Sequence, residues 1–347
     1  MQMEPSDNYK NCTLCPRRCR VDRTNGQIGF CRQSDRMVLA CATRHFGEEP
    51  PLVGQGGSGA LFFSGCTLRC GFCQNRQLSR SEVGRGISRE EFVRICLELQ
   101  EGGAENINLV SATPFIPSLE AGISEARRKG LHLPVVWNSS GYELPETVDR
   151  LAEFVDVFLP DLKLLDPELS GRLFAAGDYP ERAAAALKRM AEHKVGRKPN
   201  TIVRHLVLPG LLQETRRVLE WFARELGDRA LFSLMVQFAV PEEGLSNGGG
   251  PQESGSQHGS LQHEGPQKEP KKIGSWRRGV GALENRPLTP KEYDMLLQWL
   301  DELEIEEGFI QEPGEDGLWW PDFNRTNPFP SEYSRVVWSC REGFAAH

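Results

Sequence analysis

Cys66, Cys70 and Cys73 fall within eight residues, in SGCTLRCGFCQN (64–75). Three thiols crowded onto one loop make a poor disulfide set, because one is always left over, but a good claw for a metal or a cluster. Their spacing is C-x3-C-x2-C. A structural zinc site takes four ligands, usually as two separated pairs, and no fourth Cys or His follows nearby. A ferredoxin-type cluster also takes four thiolates. Three thiolates on a four-iron cluster leave one iron without a protein ligand, and an open position is what a catalytic metal site keeps. Zinc completed by a distant ligand is the alternative.

A second group, Cys12, Cys15, Cys19 and Cys31, lies in CTLCPRRCRVDRTNGQIGFC with the spacing C-x2-C-x3-C-x11-C. The short gaps run in the reverse order, and Asp22 stands where an offset copy of the claw would need cysteine. This is not a second claw. So short a segment, poor in apolar residues, cannot fold alone; below about 40 residues a metal is usually needed. Four thiolates suit either zinc or an auxiliary iron–sulfur cluster, and both readings stay open. Arg17, Arg18, Arg20 and Arg23 either raise the potential of a nearby cluster or solvate the loop. Cys41, Cys96 and Cys340 stand alone and read as packing residues.

Other motifs carry less. Gly54, Gly56 and Gly59 spell G-x-G-x-x-G, but a dinucleotide fingerprint follows a strand and opens a helix. This one precedes a strand, so it reads as a turn. His45 and His205 are candidate proton handlers with a plainer reading as hydrogen-bonded structural histidines. His258 and His263 read as solvated linker residues. No Ser–His–Asp or paired-carboxylate arrangement stands out.

The elements that must position the claw follow from periodicity. Short β-branched or apolar runs mark candidate strands at 60–65, 106–112, 134–140, 156–163, 202–209 and 231–238. Helix-period segments lie between them, with starts at Ser88–Glu91 and Asp178–Glu181, and with Val218, Leu219, Phe222 and Leu226 sharing one face. Six strands alternating with helices argue for a parallel sheet, as an open or partial β/α barrel or a doubly wound sheet. In either, ligands gather at the carboxyl ends of the strands. The claw sits just past the first of them. The expected organisation is a cysteine-rich extension (1–57), a β/α core (58–241), a disordered low-complexity insertion (242–282), a returning helix and strand of the core (283–311) and an aromatic, proline-rich tail (312–347). The insertion is too rich in Gly, Ser, Gln and Pro to offset its ordering entropy. A Thr289–Glu292 capping box restarts order, and the tail reads as a clasp on the barrel or a lid over the site.

The 347 residues carry a net charge of −7, with 39% hydrophobic and 26% charged residues. Such a balance gives no general pull towards nucleic acid or anionic lipid. No run of about 18 apolar residues exists to span a membrane, and the polar start carries no signal-peptide core. A reducing, cytoplasmic compartment and metal-binding cysteines are the expectation.

C-x3-C-x-aromatic-C after a first barrel strand, with Phe72 as the aromatic, resembles the radical S-adenosylmethionine (SAM) superfamily. The pieces GGSGALFFSGCTLRCGFCQN, NINLV, NSSGYE, VDVFLPDLK, VRHLVLPG, LMVQF and NRPLTPKEYDML are similar to the branch of pyruvate formate-lyase activating enzyme. The resemblance implies a partial (β/α)6 barrel and a [4Fe-4S] cluster on Cys66, Cys70 and Cys73. It also implies reductive cleavage of SAM to a 5′-deoxyadenosyl radical, which abstracts hydrogen from a substrate, a glycine of a partner protein among the candidates. It implies an electron donor such as a flavodoxin or ferredoxin. Asn138, Ser139 and Ser140 would meet the SAM ribose, Asp161 and Lys163 match the family's D-L-K stretch, and Arg204 would hold the SAM carboxylate. Two departures stand against glycyl-radical activation: Ser111–Pro114 reads SATP where activases carry Gly-Gly-Glu-Pro, and Gln74 stands where they often have His. The rival expectation is a scaffold or binding protein with two structural metal sites.

Overall fold

A computed structural model describes residues 7–193, 200–238, 283–313 and 320–345. The insertion expected at 242–282, His258, His263 and Trp319 lie outside the described residues.

All six expected strands form; the first starts two residues early, and the other five are shorter than their apolar runs. They are β2 (Ser58–Phe63), β4 (Ile107–Val110), β5 (Val135–Ser139), β6 (Val157–Pro160), β7 (Ile202–Leu206) and β8 (Leu231–Met235). β2, β4, β5 and β6 pair in parallel, side by side. β7 and β8 pair in parallel and continue into β9 (Gly308–Ile310). Parallel bridges Phe158↔Thr201 and Asp161↔Arg204 join the two sets at β6 and β7. The result is one curved wall with helices outside, a partial (β/α) barrel.

The alternation of each strand sorts its residues between two cores. Leu61 and Phe63 of β2, Leu109 of β4, Trp137 of β5 and Phe158 of β6 face outward into a core shared with the helices Arg89–Glu101 and Ile116–Arg128. Ala60, Phe62 and Val110 face inward, as do Val136, Leu159 and Ile202. The first outer helix starts as its sequence dictates, with Ser88 Oγ accepting the Glu91 N–H at 3.1 Å. Glu91 does not complete the box: its carboxylate accepts from Trp338 Nε1 at 3.0 Å and from Arg85 at 2.7 Å instead. Thr289 and Glu292 do form both halves of a capping box.

The cysteine-rich amino-terminal extension also supplies a strand to the core sheet. Met37–His45 (β1) is a nine-residue strand, antiparallel to β2. Its run MVLACATRH is apolar on both faces, but charged and polar neighbours on either side hide it in a composition average. β3 (Arg85–Ile87) and β10 (Ser334–Ser339) also pair with β1, and β11 (Gly343–Phe344) pairs with β10. β2 therefore has partners on both edges.

The described part of the tail packs on the sheet. Phe323 and Phe329 pack on Phe62 with ring centroids 5.5 and 5.0 Å away. Asp322 and the Phe323 N–H bond to Gln77, just past the claw. Trp338 of β10 is fully buried in the outer core. Trp338→Ala should lower stability by about 3–5 kcal/mol, read as a lower urea midpoint. A loss of less than about 1 kcal/mol would show that the tail strand is not part of the core.

Candidate active site at the carboxyl ends of the strands

β2 ends at Phe63, and the chain turns at Gly65 with φ +88°. A Cβ at Gly65 would lie 2.5 Å from Gln33 Cγ and 2.8 Å from the Cys31 carbonyl oxygen. Only glycine fits that turn. The claw loop that follows is anchored through its backbone, with the Arg69 N–H on Phe174 O at 3.0 Å and the Gly71 N–H on Leu173 O at 3.2 Å. Leu68 and Phe72 are buried beneath it. The Phe72 ring packs edge-on against Phe174 and Phe238, with centroids 6.0 and 5.6 Å away. The aromatic of the motif thus pins the loop to the core.

Cys66, Cys70 and Cys73 are free thiols. Burial pushes the Cys66 thiol up to about 11 and raises Cys70 and Cys73 as well. The positive charge of Lys163 acts on all three in the opposite direction. Lys163 Nζ pairs with Asp161 Oδ2 at 2.5 Å. Burial works against its ammonium, but Asp161 and Cys70 outweigh that and raise its pKa. Asp161 and Lys163, just past β6, therefore face the claw rather than forming an isolated strand-end pair. Tyr179, unnoticed in the sequence, braces them. Its hydroxyl accepts the Lys163 N–H at 3.0 Å and sits 3.0 and 2.9 Å from the carbonyls of Ser140 and Asp161.

The three residues NSS separate. Asn138 shares the inward face of Val136 and is half-buried, as is Ser140. Ser139 turns outward and is buried, donating to Glu143 Oε2 at 3.2 Å. Glu143 also accepts from Thr113 Oγ1 at 3.1 Å and is fully buried. Burial raises its pKa to about 7, and the charge of Asp161 adds to the rise. Sequence reasoning passed over Glu143, because a carboxylate in NSSGYE looks like a solvated loop residue. The close approach that buries it depends on Gly141, at φ +72°, where a Cβ would meet the Asp161 carbonyl oxygen at 2.3 Å.

Arg204 is not with these groups. From β7 its guanidinium bonds Glu49 Oε1 at 2.7 Å and also pairs with Glu48. Ser233 donates to Glu49 at 2.8 Å and Asn108 to Glu48 at 3.1 Å. The Arg204 backbone pairs with Asp161, but its side chain belongs to this separate buried network. His205 is structural: its Nδ1 lies 2.7 Å from Leu162 O, its Nε2 lies 2.9 Å from Thr215 Oγ1, and burial lowers its pKa to about 4. His45 is buried beside the Phe62 and Phe329 rings. The GQGGSG turn precedes β2 as expected, with Glu105 accepting the Gln55 and Gly56 N–H groups. Cys12, Cys15, Cys19 and Cys31 line one small cavity beside Thr67 and Thr113. Among the described residues, no three His, Cys, Asp or Glu side chains gather tightly enough to hold a lone metal ion. No described helix is long and apolar enough to cross a membrane.

A family model described as the radical SAM superfamily matches residues 61–222. An uncharacterised protein of Methanocaldococcus jannaschii is 31% identical over 238 residues, 66% of each chain. The pyruvate formate-lyase 1-activating enzyme of Escherichia coli K12 is 22% identical over 174 residues, 48% of this chain and 68% of that enzyme. The chain thus spans about two thirds of the length of these curated relatives. A crystal structure of Streptococcus suis SuiB matches with a TM-score of 0.42 at 14% identity, over 72% of this chain and 47% of that one.

The raised pKa of Glu143 has a definite sign in stability. An unfolded glutamate loses its proton near pH 4.3, whereas the folded one keeps it to about pH 7. The folded state binds the extra proton between these values, so stability falls as pH rises through that window and then levels. Glu143→Gln should remove this loss. The variant should gain on the native chain by roughly 2–3 kcal/mol between pH 4.5 and pH 8, in urea unfolding at both. An unchanged difference would mean that Glu143 titrates normally.

Proposed function

This chain belongs to the radical SAM superfamily, an enzymatic family, and we propose that it reductively cleaves S-adenosylmethionine and uses the resulting radical to abstract hydrogen from a substrate. The observation that carries the reading is the placing of three half-buried free thiols, Cys66, Cys70 and Cys73, at the end of β2 opposite Asp161 and Lys163. The donor set fits a [4Fe-4S] cluster, since thiolates are what such clusters take and three leave one iron open. When bound, the cluster supplies an electron to the SAM sulfonium and an open iron for the SAM amino and carboxylate groups, giving methionine and a 5′-deoxyadenosyl radical.

The rest is the work of the chain. Lys163 offsets the negative charge that three thiolates bring into an apolar pocket. Asn138 and Ser140, on the inward side, present polar groups to the SAM ribose. Asp161 holds Lys163, and the two take the polar end of SAM. Arg204, expected on the SAM carboxylate, is occupied by Glu48 and Glu49, and the reading gives it no direct contact. An external one-electron carrier, of the flavodoxin or ferredoxin class, supplies the reductant.

The activating-enzyme resemblance suggests a glycine of a partner protein as hydrogen donor. Ser111–Pro114 departs from that branch in composition but less in shape. Ser111 adopts φ +58°, a left-handed conformation that glycine would take more readily. Thr113 stands at the Glu position of Gly-Gly-Glu-Pro, and its hydroxyl carries Glu143. Glu143 has no exposed surface, so it acts as a positioning residue, joining the loops that follow β4 and β5.

The test uses anaerobically reconstituted protein with SAM and dithionite, following 5′-deoxyadenosine by chromatography. The native chain should form it, and Cys73→Ala, which removes a ligand itself, should lose more than the roughly 10–100-fold that loss of a ligand's outer partner costs. A native chain with a spectroscopically verified cluster that makes no deoxyadenosine would overturn the reading and favour a scaffold with structural metal sites.

A further inference from the structure

The second cysteine group is a built site. Backbone bonds from Arg20 N–H to Cys12 O (2.9 Å), Arg18 N–H to Cys15 O (3.0 Å) and Cys12 N–H to Val21 O (3.1 Å) fold residues 12–21 into a tight knuckle. The knuckle presents Cys12, Cys15 and Cys19 to one side, and Cys31 arrives there from beyond the next turn. Gly29 passes so close that a Cβ on it would lie 2.8 Å from Cys19 Sγ. The Phe30 N–H points at the same sulfur at 3.4 Å. All four cysteines are free thiols around one void.

A countercharge is already in place. Arg23 is 1% exposed, and its guanidinium lies 3.7 Å from Cys12 Sγ while bonding the carbonyls of Gln33 and Ser34. A buried guanidinium beside sulfur is costly unless negative charge accompanies it. Four thiolates on a divalent metal ion, or on a cluster of the same core charge, supply that charge.

The spacing of the thiols chooses between these occupants. Four thiolates on zinc stand about 2.3 Å from the metal, so they must gather tightly around one point. Among the described residues no three Cys, His, Asp or Glu side chains gather that tightly, although these four cysteines line one cavity. The arrangement suits a body larger than a lone ion. We propose that Cys12, Cys15, Cys19 and Cys31 hold an iron–sulfur cluster with all four irons protein-ligated, separate from the claw. The site adjoins the claw loop directly. Thr67, next to Cys66, lines the cavity, and Arg17 Nε donates to the Thr67 carbonyl at 3.0 Å. With no open iron, such a cluster cannot chelate SAM.

Iron, acid-labile sulfide and zinc per chain test this without any turnover. Anaerobically reconstituted protein should carry about eight irons, with electron paramagnetic resonance from two clusters, one of which changes on adding SAM. A chain lacking the claw, Cys66→Ala/Cys70→Ala/Cys73→Ala, should keep about four irons and a signal indifferent to SAM. Cys12→Ser/Cys19→Ser should lose that signal and keep the SAM-sensitive one; circular dichroism would verify that each variant is folded. About one zinc and four irons per native chain, or a claw-less chain with no iron, would overturn the proposal. Because the claw-less chain cannot cleave SAM, its iron content stands or falls apart from the catalytic reading.

Discussion

Burying three thiols where metal chemistry needs thiolates is the constraint on which this site depends. An apolar surround favours the neutral thiol, as the raised pKa of Cys66, Cys70 and Cys73 shows, whereas a metal takes only the deprotonated sulfur. The fold answers with one ammonium. Lys163 reaches the claw from the strand-end stretch after β6, Asp161 keeps it protonated, and Tyr179 fixes the backbone of both. The same burial that penalises the thiolate strengthens its attraction to Lys163, because charges interact more strongly where water is excluded. The claw and the DLK stretch are therefore parts of one electrostatic unit, although 88 to 97 positions of sequence separate Lys163 and Asp161 from the cysteines.

Two polar groups divide the interior of the barrel. At the carboxyl ends stand the thiols, Asp161, Lys163 and the half-buried Asn138 and Ser140. The side chains of Arg204, Glu48, Glu49, Ser233 and Asn108 form a separate network of charge-assisted bonds. Breaking such a buried pair by removing one member leaves an uncompensated charge, which typically costs 3–5 kcal/mol. Burial alone would raise the Glu49 pKa, yet Arg204 holds it below the usual carboxylate range. That network ties β7 and β8 to the segment preceding β2, closing the wall across strands that do not adjoin.

What could be read in the sequence was local. The claw was legible because metal ligation by a loop needs its ligands within a few residues, and the six strands because β-branched runs between turn residues advertise themselves. Tyr179, Glu143 and the Arg204 network were not legible. Tyr179 reads as the first apolar residue of a helix until its hydroxyl is seen on the carbonyls of Ser140 and Asp161. Arg204 and Glu49 are 155 positions apart, and nothing in either neighbourhood marks the other. β1 was missed for a different reason. Its pattern is neither alternating nor helical, because β2 and β10 cover its edges and both of its faces are buried.

The amino-terminal knuckle shows why an extension too small to fold alone is attached where it is. Arg17 donates to Thr67 and Ala175 and stacks over Phe30 at 3.7 Å, while Arg69 of the claw loop reaches back to the Phe30 carbonyl. The Gly65 turn leaves no space for a Cβ because Cys31 and Gln33 press against it. Each side is thus a wall of the other. Whatever fixes the four cysteines also fixes the turn that launches the claw, since Cys31 belongs to one site by its sulfur and to the other by its carbonyl. A loop that must hold three ligands steady gains from such a neighbour, because a ligand set is only as well placed as the shell supporting it. That coupling explains how a segment poor in apolar residues can be ordered against the barrel: its own core is thiol and guanidinium, and its support is the claw loop.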